Sequence, residues 1–320
     1  MRVATVDIGT NTVLLLVADR GADGRLSAVA EHATITRLGE GVDRTRRLSR
    51  DAIGRTRDCL ARYADVVRDV GVERTAVVGT SAMRDAGGGE EMKEIVRALF
   101  GVEARVLSGQ DEARLTFRGA MVGLSDALRL ESQQGVRRRV DAELSMAVFD
   151  IGGGSTEVVL GRVQGGLAQV DFSASYDVGS VRMTERLLAH DPPRGDELDA
   201  LAAAARAAFS AVPPLPDGAL MPIGVAGTMT TLAAVSLGLS SYDGARVHGH
   251  VMPRRELERV VRHVASLDLA ARSALPGMEP KRADVIVAGG AIAVALLEHW
   301  HADAVRISDR GVRWGLAEEA

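Results

Sequence analysis

Apolar runs and helical repeats of apolar positions alternate along most of this chain. Residues 3–19 and 26–38 read as strands of a meander, and shorter apolar runs predict buried strands at 75–79, 102–107 and 304–307. Ser49 precedes a segment whose apolar residues recur at helical spacing, so we expect it to cap that helix. Strands that alternate with helices in this way predict an α/β protein.

One stretch, Met146 to Gly161 (MAVFDIGGGSTEVVLG), places an acid and a glycine-rich turn between two apolar runs. Glycines leave room for backbone N–H groups to surround an anion, and the serine adds a hydroxyl donor. The turn residues concerned are Gly152, Gly153, Gly154 and Ser155. Asp150 and Glu157 flank the turn, and two carboxylates beside an anion require a cation between them. The stretch therefore predicts a site for phosphate and a divalent metal, whereas a β-hairpin with a loose turn is the purely structural alternative.

The same order of apolar strand, acid, glycine-containing turn and apolar strand occurs near the N-terminus, in Val3 to Asp19 (VATVDIGTNTVLLLVAD). Aligning Asp7 with Asp150 also aligns Ile8 with Ile151 and Gly9 with Gly152; the corresponding turn consists of Gly9, Thr10, Asn11 and Thr12. Two copies of one strand–turn–strand unit predict two related α/β domains that face each other across a cleft, as in actin, hexokinase and Hsp70-like ATPases. We place the first domain at 1–127, completed by a helix near 308–320, and the second at 128–307.

Two further glycine-containing stretches resemble phosphate-binding turns. Ile223 to Ala234 (IGVAGTMTTLAA) runs from an apolar strand through Gly227 and Thr228 into a helix. Val285 to Ala295 (VIVAGGAIAVA) predicts the same strand–glycine–helix order. A helix that begins after a glycine turn presents unpaired N–H groups, which favour an anion.

Several other features have a structural interpretation as well as a functional one. Ser108 and Asp111 form a capping box at the start of a helix, and Glu112 lies in the first turn of that helix. A negative charge at this position interacts favourably with the helix dipole. The arginine run at 137–139 is typical of a solvated loop. His248 and His250 form an H-x-H pair without a nearby third ligand, so we expect a structural or surface role.

Composition narrows the class of protein. With 320 residues, 46% hydrophobic and 26% charged, the chain matches a globular protein of two domains. The net charge of −4 excludes a basic field for nucleic acid, so local arginines and a metal must hold an anionic substrate. A single cysteine, Cys59, forms no intrachain disulfide and indicates a reducing, cytoplasmic setting. We expect neither a signal peptide nor a membrane-spanning segment.

With these motifs in view, the chain resembles the Ppx/GppA family of exopolyphosphatases and guanosine pentaphosphate phosphohydrolases. The resemblance covers the whole chain in order, through DIGTNT, TSAMRDA, LSGQDEARL, FDIGGGSTEVVLG, VGSVRMTE, GTMTTLAA, PGMEPKRADVIVAGG and ISDRGVRWG. It implies an α/β fold of two actin-like domains around an interdomain cleft, in the superfold of acetate kinase, sugar kinases, Hsp70 and actin, with ribonuclease H-like cores. Longer family members append a helical region, so this chain resembles the short form, for which we expect short polyphosphates as substrates.

The resemblance also implies roles for particular residues. Glu112 matches the catalytic glutamate that acts as general base, and Asp150 matches a second acid near metal and water. Asp7, Asp150 and Glu157 are the implied ligands of Mg²⁺ or Mn²⁺, and Arg84 matches an arginine that grips the polyanion. The implied phosphate-binding residues are Gly9, Thr10, Asn11, Thr12, Arg84, Gly152, Gly153, Gly154, Ser155, Gly227 and Thr228. In this chain TSAMRDA, a hydroxyl-rich turn, continues into three glycines (Gly87 to Gly89) that predict a looser segment around Arg84.

Four functions follow as hypotheses. The first is an exopolyphosphatase that releases terminal phosphate from inorganic polyphosphate by metal-assisted attack of water. The second is a 5′-phosphohydrolase of pppGpp, since both substrates end in a phosphoanhydride. The third is a non-catalytic regulator that binds polyphosphate or an alarmone, which the presence of Glu112, Asp150 and Glu157 argues against. The fourth is a sugar-kinase-like ATPase, which the context of Glu112 disfavours. We expect a homodimer without a nucleic acid or membrane partner.

Overall fold

A computed structural model describes residues 1–122, 144–164, 167–215 and 221–320 of the chain. The chain divides into two compact units, the first comprising Met1–Gly119 with Val312–Ala320 and the second Ala120–Gly311. The arginine run at 137–139 and the predicted domain boundary at 127–128 lie outside the described residues. Within these described ranges, no helix has the length and apolar character needed to cross a membrane.

The first unit contains a five-stranded mixed sheet. Its strands are β1 (Arg2–Ile8), β2 (Thr12–Arg20), β3 (Leu26–Ile35), β4 (Arg74–Gly79) and β5 (Ala104–Val106). They lie in the order β3-β2-β1-β4-β5, with β1, β2 and β3 antiparallel and β1, β4 and β5 parallel. Its helices are α1 (Val42–Thr45), α2 (Arg50–Asp69), α3 (Ser81–Asp85), α4 (Gly89–Phe100) and α5 (Gly109–Met121).

Helix α2 covers one face of this sheet. The side chain of Ser49 accepts a hydrogen bond from the N–H of Ala52 (3.2 Å), which confirms the predicted cap. Cys59 and Leu60 are fully buried on the apolar face of the helix, in one cluster with Val6 and Leu15 of the sheet. Burying each large apolar side chain contributes about 1.5–3 kcal/mol, so this face fixes the helix on the sheet.

The end of the chain returns to the first unit as a further helix, Val312–Glu319. Leu316 packs with Val78 and Leu115 in a small apolar cluster. A Cβ atom at Gly315 would lie 2.0 Å from the carbonyl oxygen of Leu115, so only glycine permits this close contact between the terminal helix and α5.

The second unit contains a six-stranded mixed sheet. Its strands are β6 (Leu144–Ile151), β7 (Thr156–Gln164), β8 (Leu167–Tyr176), β9 (Ile223–Val225), β10 (Val251–Pro253) and β11 (Ala304–Ile307), in the order β10-β11-β9-β6-β7-β8. Its helices are α6 (Ser180–Leu187), α7 (Gly195–Ala208), α8 (Ala226–Ser236), α9 (Gly244–Val247), α10 (Arg254–Ala265), α11 (Leu269–Ser273) and α12 (Ile286–His299), with a 3₁₀ turn at Pro280–Arg282. The helix at Val312–Glu319 is α13.

The two sheets repeat one topology, as the aligned motifs predict. The order β3-β2-β1-β4-β5 matches β8-β7-β6-β9-β11, and β10 adds one strand to the second sheet. The two turns share an equivalent hydrogen bond, because the N–H of Gly9 donates to the carbonyl of Thr12 and that of Gly152 to the carbonyl of Ser155, each at 3.0 Å.

Two local predictions were wrong. The TSAMRDA segment forms helix α3 rather than a turn. The predicted strand–glycine–helix at Val285 to Ala295 is helical almost throughout, because α12 begins at Ile286. A Cβ atom at Gly289 would lie 2.6 Å from Cγ2 of Thr228, and one at Gly290 would lie 2.5 Å from Cγ2 of Val261. These glycines therefore serve close packing of α12 against α8 and α10, not a turn.

Candidate functional site

In each unit, the predicted site residues follow strands that end at one edge of the sheet. In the first unit, Ile8 of β1 pairs with Gly79 of β4, which pairs with Val106 of β5. The turn after β1, helix α3 and the start of α5 continue from these strand ends. The equivalent edge of the second unit is followed by the turn after β6, by α8 and by residues 308–311. The carboxyl edge of parallel strands is where α/β sheets bind ligands.

The turn after β1 presents amide hydrogens to one side. The carbonyl of Thr10 accepts from the N–H of Gly39 (2.8 Å), and that of Asn11 accepts from the N–H groups of Thr36 and Arg37 (3.0 Å each). In a trans peptide, the N–H of the next residue points opposite to such a carbonyl, so the Asn11 N–H points away from this segment. The buried Nδ2 of Asn11 has no hydrogen-bond partner among the described residues. A turn with donors of this kind is suited to an anion.

Helix α3 is fixed to this turn. The hydroxyls of Thr10 and Ser81 share a buried hydrogen bond of 3.0 Å, and the N–H of Thr80 donates to the carbonyl of Ile8 (3.2 Å). Asp7, at the end of β1, is 8% exposed. The first unit therefore brings the predicted turn together with the helix that carries Arg84.

Arg84 and Glu112 form an ion pair. Nη1 of Arg84 donates to Oε2 of Glu112 (3.1 Å) and to the carbonyl of Leu107 (3.1 Å). Ser108 caps α5, because its hydroxyl accepts from the N–H of Asp111 (3.1 Å) and donates to the Asp111 carboxylate (2.8 Å). Glu112 is 7% exposed, so its carboxylate is buried against Arg84 rather than solvated at the start of the helix. Burial and an arginine partner make this carboxylate a candidate for chemistry.

The turn after β6 has the same construction. The carbonyl of Gly152 accepts from the N–H of Ser180 (2.9 Å), and that of Gly153 accepts from Val181 (2.9 Å) and Arg182 (3.1 Å). By the same peptide geometry, the N–H groups of Gly153 and Gly154 point away from α6. A Cβ atom at Gly179 would lie 2.4 Å from the Gly153 carbonyl oxygen, so Gly179 permits this support. The first turn of α6 thus orients the amides of the glycine loop.

Asp150 and Glu157 are directly opposite one another on β6 and β7, so their side chains project from the same face of the sheet. Glu157 is 1% exposed, and its Oε1 accepts from the Ser175 hydroxyl (2.7 Å). Ser155 is also buried. Two carboxylates in direct cross-strand register repel one another unless a cation lies between or beside them.

The third predicted element supports the loop, and the 3₁₀ turn at Pro280–Arg282 places beside it a cation that the sequence interpretation missed. The hydroxyl of Thr228 donates to the carbonyl of Ile151 (3.1 Å), which joins α8 to the turn. The guanidinium of Arg282 lies over Gly227, where a Cβ atom would be 2.1 Å from it. Burial lowers the pKa of Arg282, while Glu279, Tyr242 and Asp150 act to raise it, so Arg282 and Asp150 interact electrostatically. Arg282 lies in the PGMEPKRADVIVAGG motif, and this position in a family motif is the sequence feature that could have identified it.

Backbone strain marks the start of α8. Ala226 has φ of 66°, one of four non-glycine residues with positive φ in the described chain. Such conformations cost about 1–3 kcal/mol and persist where surrounding contacts impose them. The strained residue directly precedes Gly227 and Thr228, so strain coincides with the predicted ligand-binding turn.

The Asp150 and Glu157 carboxylates suit a metal ion whose other ligands come from the substrate and from water. Across the described residues, no three His, Cys, Asp or Glu side chains gather into a group that could hold an ion. Mg²⁺ is usually held by one or two carboxylates together with phosphate oxygens and waters. The Asp150–Glu157 pair supplies this chemistry, whereas the predicted contribution of Asp7 stays a prediction.

Comparisons with known proteins identify the family of this chain. The model of the Ppx/GppA phosphatase family matches residues 16–319. Exopolyphosphatase 2 of Mycobacterium tuberculosis is 37% identical, and the match covers 99% of this chain and 97% of that protein. A guanosine-5′-triphosphate,3′-diphosphate pyrophosphatase of Vibrio atlanticus is 28% identical over 99% of this chain but only 58% of its own length.

Solved structures show the same fold. The crystal structure of the Aquifex aeolicus member of the Ppx/GppA family has a TM-score of 0.79 and 31% identity, covering 100% of this chain and 97% of that one. An exopolyphosphatase-like protein has a TM-score of 0.83 and 31% identity, with 99% and 98% coverage. The predicted actin-like α/β fold with two domains is thereby confirmed. The chain belongs to the Ppx/GppA phosphatase family.

Proposed function

We propose that this protein is an exopolyphosphatase that hydrolyses the terminal phosphoanhydride bond of inorganic polyphosphate. The observation that carries the proposal is the ion pair between Arg84 and the buried Glu112, on helices that follow β4 and β5 at the carboxyl edge of the first sheet, where the Gly9–Thr12 turn follows β1. The name and 37% identity of the mycobacterial relative support the same substrate class.

We assign phosphate binding, charge neutralisation and proton acceptance to different residues. The turn at Gly9–Thr12, the turn at Gly152–Ser155 and the Gly227–Thr228 element bind phosphate oxygens, and Arg84 and Arg282 offset their charge. Glu112 accepts a proton from water as the water oxygen bonds to the terminal phosphorus. The bond from that phosphorus to the bridging oxygen breaks, and the shortened chain leaves as a phosphate anion. Positioning and charge neutralisation supply most of the rate in phosphoryl transfer.

We further propose Mg²⁺ or Mn²⁺ as cofactor, held by Asp150 and Glu157 with a contribution from Asp7. When bound, the ion would offset charge on the transferring phosphoryl group. Support comes from the direct cross-strand register of the two carboxylates on β6 and β7.

A pppGpp 5′-phosphohydrolase is the second candidate, because the Vibrio relative bears the name of such an enzyme. The deciding experiment measures phosphate release from tripolyphosphate, from longer polyphosphate and from pppGpp, with Mg²⁺ and with EDTA. Release from polyphosphate with the higher kcat/KM, abolished by EDTA, is expected. Faster turnover of pppGpp would select the second candidate, and binding without turnover would select a regulator.

We also propose a homodimer in a reducing cytoplasm. The single thiol, Cys59, is buried, and burial raises its pKa, so it is suited to a reduced core position. Light scattering during size exclusion tests the dimer, since a mass of 33.8 kDa would identify a monomer.

A further inference from the structure

The segment from Arg37 to Arg50 is the feature of the first unit that the proposed function does not yet use. It contains five arginines and two acids, within a chain whose net charge is −4. One of the acids, Glu40, is paired with Arg55 outside the segment (2.8 Å). The arginines are Arg37, Arg44, Arg46, Arg47 and Arg50. We call this segment the arginine loop; it is locally positive in a negatively charged protein.

The backbone of the arginine loop is anchored directly on the phosphate-binding turn. The N–H groups of Arg37 and Gly39 donate to the carbonyls of Asn11 (3.0 Å) and Thr10 (2.8 Å). A Cβ atom at Gly39 would lie 2.2 Å from Cγ2 of Thr10, so the contact is close. The loop therefore begins against the residues proposed to hold the terminal phosphate.

A second anchor joins the loop to the segment that follows Arg84. The N–H of Gly87 donates to the carbonyl of Arg46, and the N–H of Leu48 donates to the carbonyl of Gly87, each at 2.9 Å. The side chain of Arg47 lies beside Gly87, with its Cγ 3.6 Å from the position of a Cβ atom there. The predicted looseness of the three glycines is thus limited at Gly87. Arg47 lies beside Gly87, which follows Arg84 by three residues in the chain.

Four of the five arginines of the loop are exposed. Arg44, Arg46, Arg47 and Arg50 are exposed, and none of them forms an ion pair within the described part of the chain. Arg37 and Arg46 have φ of 53° and 56°, so two of the four non-glycine residues with positive φ belong to this loop. Left-handed conformations at non-glycine residues concentrate at ligand sites.

We infer that the arginine loop binds the phosphates of a polyphosphate chain beyond the terminal one. This inference rests on the proposed function. Guanidinium groups grip phosphate oxygens in pairs, and several exposed cations attract a polyanion more strongly than one small anion. A substrate of two or three phosphates occupies the turn and Arg84, whereas a longer chain also meets the loop. The loop therefore makes affinity depend on chain length.

The test compares KM as a function of chain length in the unaltered protein and in a triple variant, Arg44→Gln, Arg46→Gly and Arg47→Gln. Glycine is chosen at position 46 because it tolerates a positive φ. In the unaltered protein, KM should fall from tripolyphosphate to chains of several phosphates and then level off, because the loop lies next to the turn. In the variant, KM for the long chains should rise about tenfold, with kcat and the KM for tripolyphosphate changed less than about twofold.

A matched control removes three charges from the same unit. Arg57→Gln, Arg62→Gln and Arg68→Gln lie on the exposed face of α2 and change the net charge equally. This control should leave the chain-length dependence intact. The slope of affinity against salt should also fall in the loop variant and not in the control, because fewer ions are released on binding.

Three results would overturn the inference. KM for long chains could stay unchanged in the loop variant, KM for tripolyphosphate could rise equally, or the control could lose the same affinity. If the unaltered protein hydrolyses no polyphosphate, the proposed function fails by itself. The loop is then judged by binding of labelled polyphosphate to the unaltered protein and both variants, where equal affinities would refute its role.

Discussion

Nη1 of Arg84 lies 3.1 Å from Oε2 of Glu112, so the residue proposed to bind phosphate holds the residue proposed to accept a proton. The pair joins α3 to α5, which continue from neighbouring parallel strands. Loss of either partner therefore affects both the position and the charge of the other. This coupling shapes the first two predictions.

Glu112→Gln should retain the fold and substrate binding, because glutamine can still accept a hydrogen bond from Arg84. Its kcat should fall by roughly 10²- to 10⁴-fold, the usual contribution of a positioned general base. Phosphate release under saturating substrate measures the change. A variant with nearly unaltered kcat would remove Glu112 from the chemistry.

Arg84→Ala should raise KM and also lower stability, because the buried Glu112 carboxylate loses an ionic partner. Arg84 is about a quarter exposed, so we expect a loss of about 1–2 kcal/mol in the free energy of unfolding. Urea unfolding of the variant and of Arg84→Lys, which keeps the charge, measures it. Equal stability of all three proteins would mean that the pair is energetically neutral.

Asp150→Asn should abolish most activity and weaken the response to Mg²⁺, because one of two directly opposed carboxylates loses its charge. Titrations of activity against Mg²⁺ test this change. Asp199→Asn, an exposed position on α7, is the matched control and should behave as the unaltered protein. Superimposable titrations of Asp150→Asn and the unaltered protein would make Asp150 structural.

Gly153→Val should be folded but inactive, because a branched side chain would stand among the amides of the turn. Gly195→Val, where no atom lies within 4 Å of an added Cβ, is the control. Phosphate release by a folded Gly153→Val protein would exclude this turn as a phosphate loop.

Glu197→Gln should reduce the acid sensitivity of the second unit. Hydrogen bonds from the N–H of Arg194, then from His190 and the N–H of Ala189, lower the pKa of Glu197 to about 2. A carboxylate with a lowered pKa stabilises the fold above its ordinary pKa of 4.5 and loses that contribution as pH falls toward 2. Urea midpoints across this range should therefore decline less steeply in the variant; parallel declines would contradict the assignment.

The sequence alone was sufficient to predict the features that consecutive residues encode. The two strand–turn–strand units, the Ser49 and Ser108 caps and the family were all predicted correctly, because turns, caps and motifs are encoded by consecutive residues. The predicted site residues fall at the carboxyl edges of the two sheets, yet their roles stay predictions.

The sequence alone was insufficient to predict the features that depend on packing between residues distant in the chain. The glycines at 289 and 290 resemble a turn, but they accommodate Thr228 and Val261, which are distant in the chain. Arg282 was not singled out from the sequence, because only the fold places its guanidinium over Gly227, which is distant in the chain. Likewise, nothing local distinguishes the arginine loop from a solvated connection until its backbone contacts with Thr10 and Gly87 are known.

The matched turns of β1–β2 and β6–β7 also bear on ancestry. The shared strand order and the equivalent 3.0 Å hydrogen bonds are what duplication and fusion of one ancestral gene would leave behind. After fusion, the two copies could diverge independently. The first now has Leu14 opposite Asp7 and carries the arginine–glutamate pair, whereas the second has Glu157 opposite Asp150. Independent divergence would account for one repeated topology that holds different chemical groups in its two copies.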